Sequence, residues 1–106
     1  MPFTITVKDF CLMGNIFEIE DKSGRKIRLT EERWNHITKE HPNVVDVEEI
    51  KKALLNPTKT KHSKYDPNVV WHYRFVKGKK RYLFAAVKYL NGDGFVITSY
   101  YMRAIK

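Results

Sequence analysis

Residues 81–101, RYLFAAVKYLNGDGFVITSYY, decide how this chain folds. Two runs rich in aromatic and β-branched residues flank Asn91-Gly92-Asp93-Gly94, a strong β-hairpin signal. Arg81 to Leu90 and Phe95 to Tyr101 therefore read as antiparallel neighbours. Upstream, Val69 to Val76 reads as a third strand, joined to Arg81 through a turn at Gly78-Lys79-Lys80. Further out, Thr58 to Lys64 fits an edge strand whose lysines blunt the edge.

Helices precede this meander. Thr30 is an N-cap type, and Glu31 and Glu32 follow it where the helix dipole favours acids. That helix is expected to run to about His41, because Pro42 lacks a donor and restricts the residue before it. A second helix is expected from Val45 to Leu55, with Val47, Ile50, Leu54 and Leu55 on one stripe and Asn56-Pro57 ending it. Thr4-Ile5-Thr6-Val7, Ile16 to Glu20 and Lys26 to Leu29 read as short strands, the last two joined by a turn at Asp21-Lys22-Ser23-Gly24. The expected fold is one α+β domain over residues 1–106, with short N-terminal strands and two helices packed on a C-terminal antiparallel sheet.

Side chains alternate across a sheet, so faces can be assigned. If Asn91 pairs with Gly94, Val87 lies opposite Thr98. If Lys77 pairs with Tyr82, Arg74 lies opposite Ala85. One face then holds Trp71, Tyr73, Phe75, Phe84, Ala86, Phe95 and Ile97, an apolar surface suited to the helices. The other holds His72, Arg74, Ala85, Val87, Thr98 and Tyr100, polar groups among small residues with room for a substrate. A single β-bulge would exchange these memberships.

Charge narrows the function. Residues 50–106 carry thirteen Lys/Arg against Asp66 and Asp93, whereas residues 1–49 carry seven Lys/Arg against ten Asp/Glu. A polarised basic half attracts phosphates and releases their counterions. It holds too few carboxylates for a two-metal nuclease, so cleavage of nucleic acid by this chain is expected to need no metal or cofactor. At 42 % hydrophobic and 13 % aromatic, the composition is that of a folded domain and not of a basic tail. The only cysteine is Cys11, which rules out an intrachain disulfide and a Cys-based zinc site. With no apolar run near the roughly 18 residues a span needs and no signal-peptide core, a cytoplasmic protein with no membrane partner is expected.

The segment Leu29-Thr30-Glu31-Glu32-Arg33-Trp34-Asn35-His36-Ile37-Thr38-Lys39-Glu40-His41-Pro42, with Tyr73-Arg74 and the closing Val96-Ile97-Thr98-Ser99-Tyr100-Tyr101, resembles small phage-type members of the barnase–EndoU–colicin–RelE group. The resemblance covers roughly residues 25–103. It implies a barnase- or RelE-like fold and a metal-independent ribonuclease, of toxin or effector type. Members of that group use a helix-borne histidine, a basic strand residue and a hydroxyl on the last strand. On this chain those positions match His41, Arg74 and Thr98, with Tyr100 as a further hydroxyl.

The chemistry needs such groups. RNA is cut when its own 2′-hydroxyl attacks the adjacent phosphorus, so the protein must move two protons and stabilise a dianionic phosphorane. DNA lacks that hydroxyl, which selects RNA. On a helical wheel Trp34, Ile37 and His41 fall within about 60° of one another, which turns His41 towards the domain body and His36 away. His41 fits a general acid or base; the alternative is a histidine that caps the helix C-terminus. Arg74 fits a phosphate fork, or else is an ordinary surface arginine. His72 is a weaker candidate beside it. Arg33, Lys79, Lys80, Arg81 and Lys88 are candidates for gripping the RNA backbone, though charged turns also serve solubility and a lysine stem can lie over a core. Trp34, Trp71 and Tyr100-Tyr101 have the chemistry for base stacking, but both tryptophans fall on apolar faces and fit the core better. His36 and His41, about 140° apart, are poorly placed to share a metal. RNA, whether tRNA or mRNA, is the expected partner, and an acidic antitoxin or immunity protein would neutralise the basic half. A non-catalytic RNA-binding module and a toxin-like fold acting through a protein partner are the competing readings.

Overall fold

The computed structural model describes residues 15–44, 46–90 and 92–105. The expected strand Thr4–Val7 lies outside the described residues. Elements follow in the order β1 (Asn15–Glu20), β2 (Lys26–Thr30), α1 (Glu31–Glu40), α2 (Val47–Leu55), β3 (Lys59–His62), β4 (Val69–Val76), β5 (Arg81–Leu90) and β6 (Asp93–Met102). The six strands form one sheet in the order β1-β2-β6-β5-β4-β3. The protein is α+β, as expected, and β4-β5-β6 is the antiparallel meander. The sheet is mixed and not wholly antiparallel, because β2 pairs with β6 in parallel, Lys26 to Arg28 beside Asp93 to Phe95.

The helices start and stop where local chemistry dictates. The Thr30 side chain accepts from the Arg33 backbone N–H at 3.1 Å, and Asp46 accepts from Glu48 N–H at 2.9 Å. His41 and Asn56 are the C-caps, their backbone N–H groups donating to Ile37 and Lys52 carbonyls, and a proline follows each. Both helices share one core with the inner residues of β2, β5 and β6: Ile37, Val44, Ile50, Ala53 and Leu54 meet Ile27, Leu29, Leu83, Ala85, Val87 and Val96.

This overturns the expected assignment of the sheet faces. The helices cover the face that carries His72, Ala85 and Val87, and the aromatic face is the other one. Small residues explain it: Ala85 on β5 and Ala53 on α2 are both fully buried in one core, which lets α2 approach the sheet closely. The aromatic face forms a second cluster of Val69, Tyr73, Phe84 and Ala86, flanked by Trp71, Tyr82, Ile97, Tyr100, Met102 and Ile105, with no helix residue among its described members.

The strand registers also differ from expectation. Leu90 pairs with Asp93, leaving a two-residue loop in which Gly92 takes φ +86°. Arg74 pairs with Leu83, two residues from the expected Ala85. Between the pairs Val87–Val96 and Ala86–Thr98 the register shifts by one, so Ile97 is an extra residue in β6. Thr98 and Tyr100 therefore share the face of Ala86 and Phe84. The Ser99 hydroxyl, wholly buried, donates to the Phe84 carbonyl at 2.8 Å just beyond the bulge.

Gly94 is fixed by packing. A Cβ there would sit 2.9 Å from Tyr89 Cε1 and from Val87 Cγ1, both in the core. The Tyr89 hydroxyl in turn donates to Asp21 Oδ2 at 3.3 Å, and the Arg25 guanidinium stacks 3.7 Å above the Tyr89 ring. Gly94→Ala is expected to cost about 1–3 kcal/mol by overpacking, read as a lower urea midpoint with an unchanged slope.

Candidate active site

Because β2 leaves β6 after Arg28–Phe95, β6 beyond that pair has no strand on its outer side among the described residues. Helix α1 lies against β1, β2 and β6 there. Its C-cap, His41, is half-buried, and its imidazole stands 5.0 Å from the Tyr100 ring, centroid to centroid. Tyr100 bridges the two cores and continues inward to Phe84 at 4.8 Å and, through Phe84, to Tyr73 at 5.3 Å. Thr98 occupies the same face of β6, two residues before Tyr100. Of the four expected catalytic residues, the structure thus sets His41 against Tyr100, with Thr98 on the same face of β6.

Arg74 does not join them. It pairs with Leu83 on the helix face, and its Nη1 donates to the Asn56 carbonyl at 2.9 Å, at the C-terminal end of α2. A cation there suits the negative end of the helix dipole. A cation that does share the face of Thr98 is Lys88, which pairs with Phe95 one same-face step along the sheet. Its Nζ is 3.0 Å from Asp66 Oδ2, with both side chains partly exposed. Asp66 is held below the usual carboxylate range by the Asn68 backbone N–H first, then by Lys88.

The remaining basic candidates lie on the start of α1 and at the β4–β5 turn. Arg33 is exposed on α1. Lys79 and Lys80 lie in the β4–β5 turn and Arg81 opens β5, beside the pair Tyr82–Met102, which is one same-face step from Phe84–Tyr100. Lys79 Nζ stands 5.3 Å over the Tyr101 ring, which faces the helices. Lys80 adopts φ +52°, a conformation only glycine takes without strain. Arg81 Nη1 donates to the Lys80 carbonyl at 3.3 Å. Sequence reasoning missed Lys59 and Lys61, which stand opposite Tyr73 and Trp71 on β3. Their alternation along an edge strand was the available signal.

His72 proves to be a core residue. It is 5 % exposed under the helix layer, and its Nδ1 has no hydrogen-bond partner among the described residues. It lines a shallow cavity of about 190 Å³ with Asp21, Arg25, Leu54, Pro57 and Thr60. Among the described residues no three His, Cys, Asp or Glu side chains are grouped to hold a metal ion. No helix of the described residues is long and apolar enough to cross a membrane.

Comparison with family models, with curated proteins and with solved structures finds no match for this chain.

Burial lowers the His72 pKa below its ordinary 6.5, outweighing the nearby carbonyls of Ala85 and Val70. The unfolded chain therefore binds a proton on this group before the folded one does, and stability falls as pH drops from 6.5 towards the lowered value. His72→Asn is expected to flatten the decline in urea midpoint between neutral and mildly acid pH, relative to wild type.

Proposed function

We propose that this protein is a metal-independent endoribonuclease whose site is formed by His41, Tyr100, Thr98 and Lys88. The observation that carries the reading is the seating of the His41 imidazole against Tyr100, where the end of α1 meets the last strand. A titratable ring, two hydroxyls and an ammonium group then share one region, and each answers a need of RNA cleavage.

In the reaction the 2′-oxygen forms a bond to phosphorus and the bond from phosphorus to the 5′-oxygen breaks. A proton leaves the 2′-hydroxyl and another reaches the departing 5′-oxygen. Products are a 2′,3′-cyclic phosphate and a 5′-hydroxyl end. His41 fills one of the two proton-transfer roles. The Tyr100 and Thr98 hydroxyls donate to the non-bridging oxygens as negative charge gathers there. Lys88 supplies the positive charge that the family pattern assigns to Arg74. To do so it exchanges Asp66 for the phosphate; their partly exposed pair is the kind whose net stabilisation is small, about 0–1 kcal/mol. The barnase- or RelE-like expectation is supported by the order helix, helix, antiparallel strands, and by the helix-end histidine meeting Tyr100 of the last strand.

Lys59, Lys61 and the β4–β5 turn add basic charge along the strands, while Glu31, Glu32, Glu40, Glu48 and Glu49 lie on the helices. RNA reaching the aromatic face therefore meets mainly lysines.

The test is incubation of the protein with total tRNA and with mixed single-stranded RNA, in EDTA, followed by analysis of fragment ends. Cyclic-phosphate ends are expected, with His41→Ala slowing their formation by about 10²–10⁴-fold and Arg74→Ala leaving the rate near wild type. Salt-sensitive RNA binding without any cleavage would instead make the protein a non-catalytic RNA-binding module. Cleavage that needs Arg74 as much as His41 would contradict the assignment of Lys88.

A further inference from the structure

We infer that the Phe75–Tyr82 ring pair is a base-stacking subsite for single-stranded RNA, next to the His41–Tyr100 cluster; this rests on the ribonuclease reading. The two residues face each other across β4 and β5, with ring centroids 5.2 Å apart and planes at 64°. Phe75 is 41 % exposed, unlike Tyr73 and Phe84 beside it, which are 2 % and 6 % exposed. The apolar cluster of this face buries Tyr73 and Phe84 and leaves Phe75 outside it. A core role therefore does not account for Phe75. Its backbone is nevertheless fixed, because its N–H donates to Thr58 Oγ1 at 3.0 Å. The ring is thus held in place and open to solvent.

Two further features define what it would take. The pair borders the turn that carries Lys77 and Lys80, both exposed, so ring surface and positive charge stand side by side. Rings interleaved with lysines suit a strand that offers a flat base on one side and a phosphate on the other. The step from Phe75–Tyr82 to Phe84–Tyr100 is two residues, about 7 Å along the sheet. Phe75 also lies two strands, about 10 Å, across from β6, so a base stacked on it belongs to a nucleotide one or two along from the scissile phosphate. Duplex RNA is excluded, since a paired base has both faces covered by its neighbours. The subsite reads no particular base, because every base has a π-face.

The probe is a fluorescein-labelled 2′-O-methyl oligoribonucleotide of about eight nucleotides, which cannot be cut, free or annealed to its complement. Binding is followed by anisotropy, with folding checked by circular dichroism. Phe75→Leu is expected to raise Kd for the single strand by about 5- to 100-fold, and Phe75→Tyr to keep the affinity. The salt dependence of binding should not change, because no phosphate contact is lost. The duplex should bind more weakly than the single strand. If Phe75→Leu fails to fold, Tyr82→Leu makes the same comparison. Unchanged affinity in the leucine variant, equal affinity for the duplex, or no binding by the wild type would each overturn the subsite. Ring-dependent binding by a protein that never cleaves RNA would support the subsite and sink the ribonuclease reading alone. Cleavage lost in His41→Ala with unchanged Phe75→Leu binding would do the reverse.

Discussion

The extra residue in β6 sets the geometry on which the candidate site depends. Ile97 has no opposite number on β5, so the strand turns over between Val96 and Thr98. Before the bulge, Gly94 and Val96 face the helices. After it, Ser99 and Tyr101 do, and Thr98 and Tyr100 point the other way. The Ser99 hydroxyl bonded to the Phe84 carbonyl holds the shifted register in the buried interior. With an unshifted register, Thr98 and Tyr100 would lie beneath the helix layer, with Val87 and Ala85. The bulge also makes Tyr100 the residue that touches both cores, and that is why the end of α1 meets it through His41.

The two faces of the sheet do different work because they are built from different residues. Alanine, valine and glycine on the helix face permit close approach, and Gly94 has no space for even a methyl group. Rings on the opposite face pack on one another, Trp71 on Phe84 and Phe75 on Tyr82 edge to face and Tyr73 on Phe84 tilted. That packing buries the centre and leaves rings at its margin partly exposed. Charge follows the same division: the glutamates of α1 and α2 lie in the helix layer, and Lys59, Lys61 and Lys88 lie on strands with the rings.

Much of the fold was legible in the chain. Thr30, Glu31, Glu32 and Pro42 bracket α1, Asn56-Pro57 ends α2, and the Asn-Gly hairpin joins β5 to β6. These are local signals, each tied to one backbone group or one torsion angle. What could not be read is non-local. The parallel pairing of β2 with β6 joins segments more than sixty residues apart. A bulge inside a run of β-branched and aromatic residues changes no composition, so alternation carries straight through it. Arg74 was expected at the site because it matches the basic strand residue of the group the chain resembles, but its partner, the Asn56 carbonyl, depends on where α2 ends in space. His72 was expected beside Arg74 on an open face; the parity was right and the covering was not, since burial by α2 is a property of the assembled fold.

One spectrum tests the shared site most directly. The labelled histidine and threonine signals of the protein are followed by NMR while an uncleavable 2′-O-methyl oligoribonucleotide is added. His41 and Thr98 are expected to shift together, with one saturation curve, while His72 under the helices stays still. Movement of His72 with a silent His41 would contradict the site on β6 and put the RNA at the opposite face of the sheet.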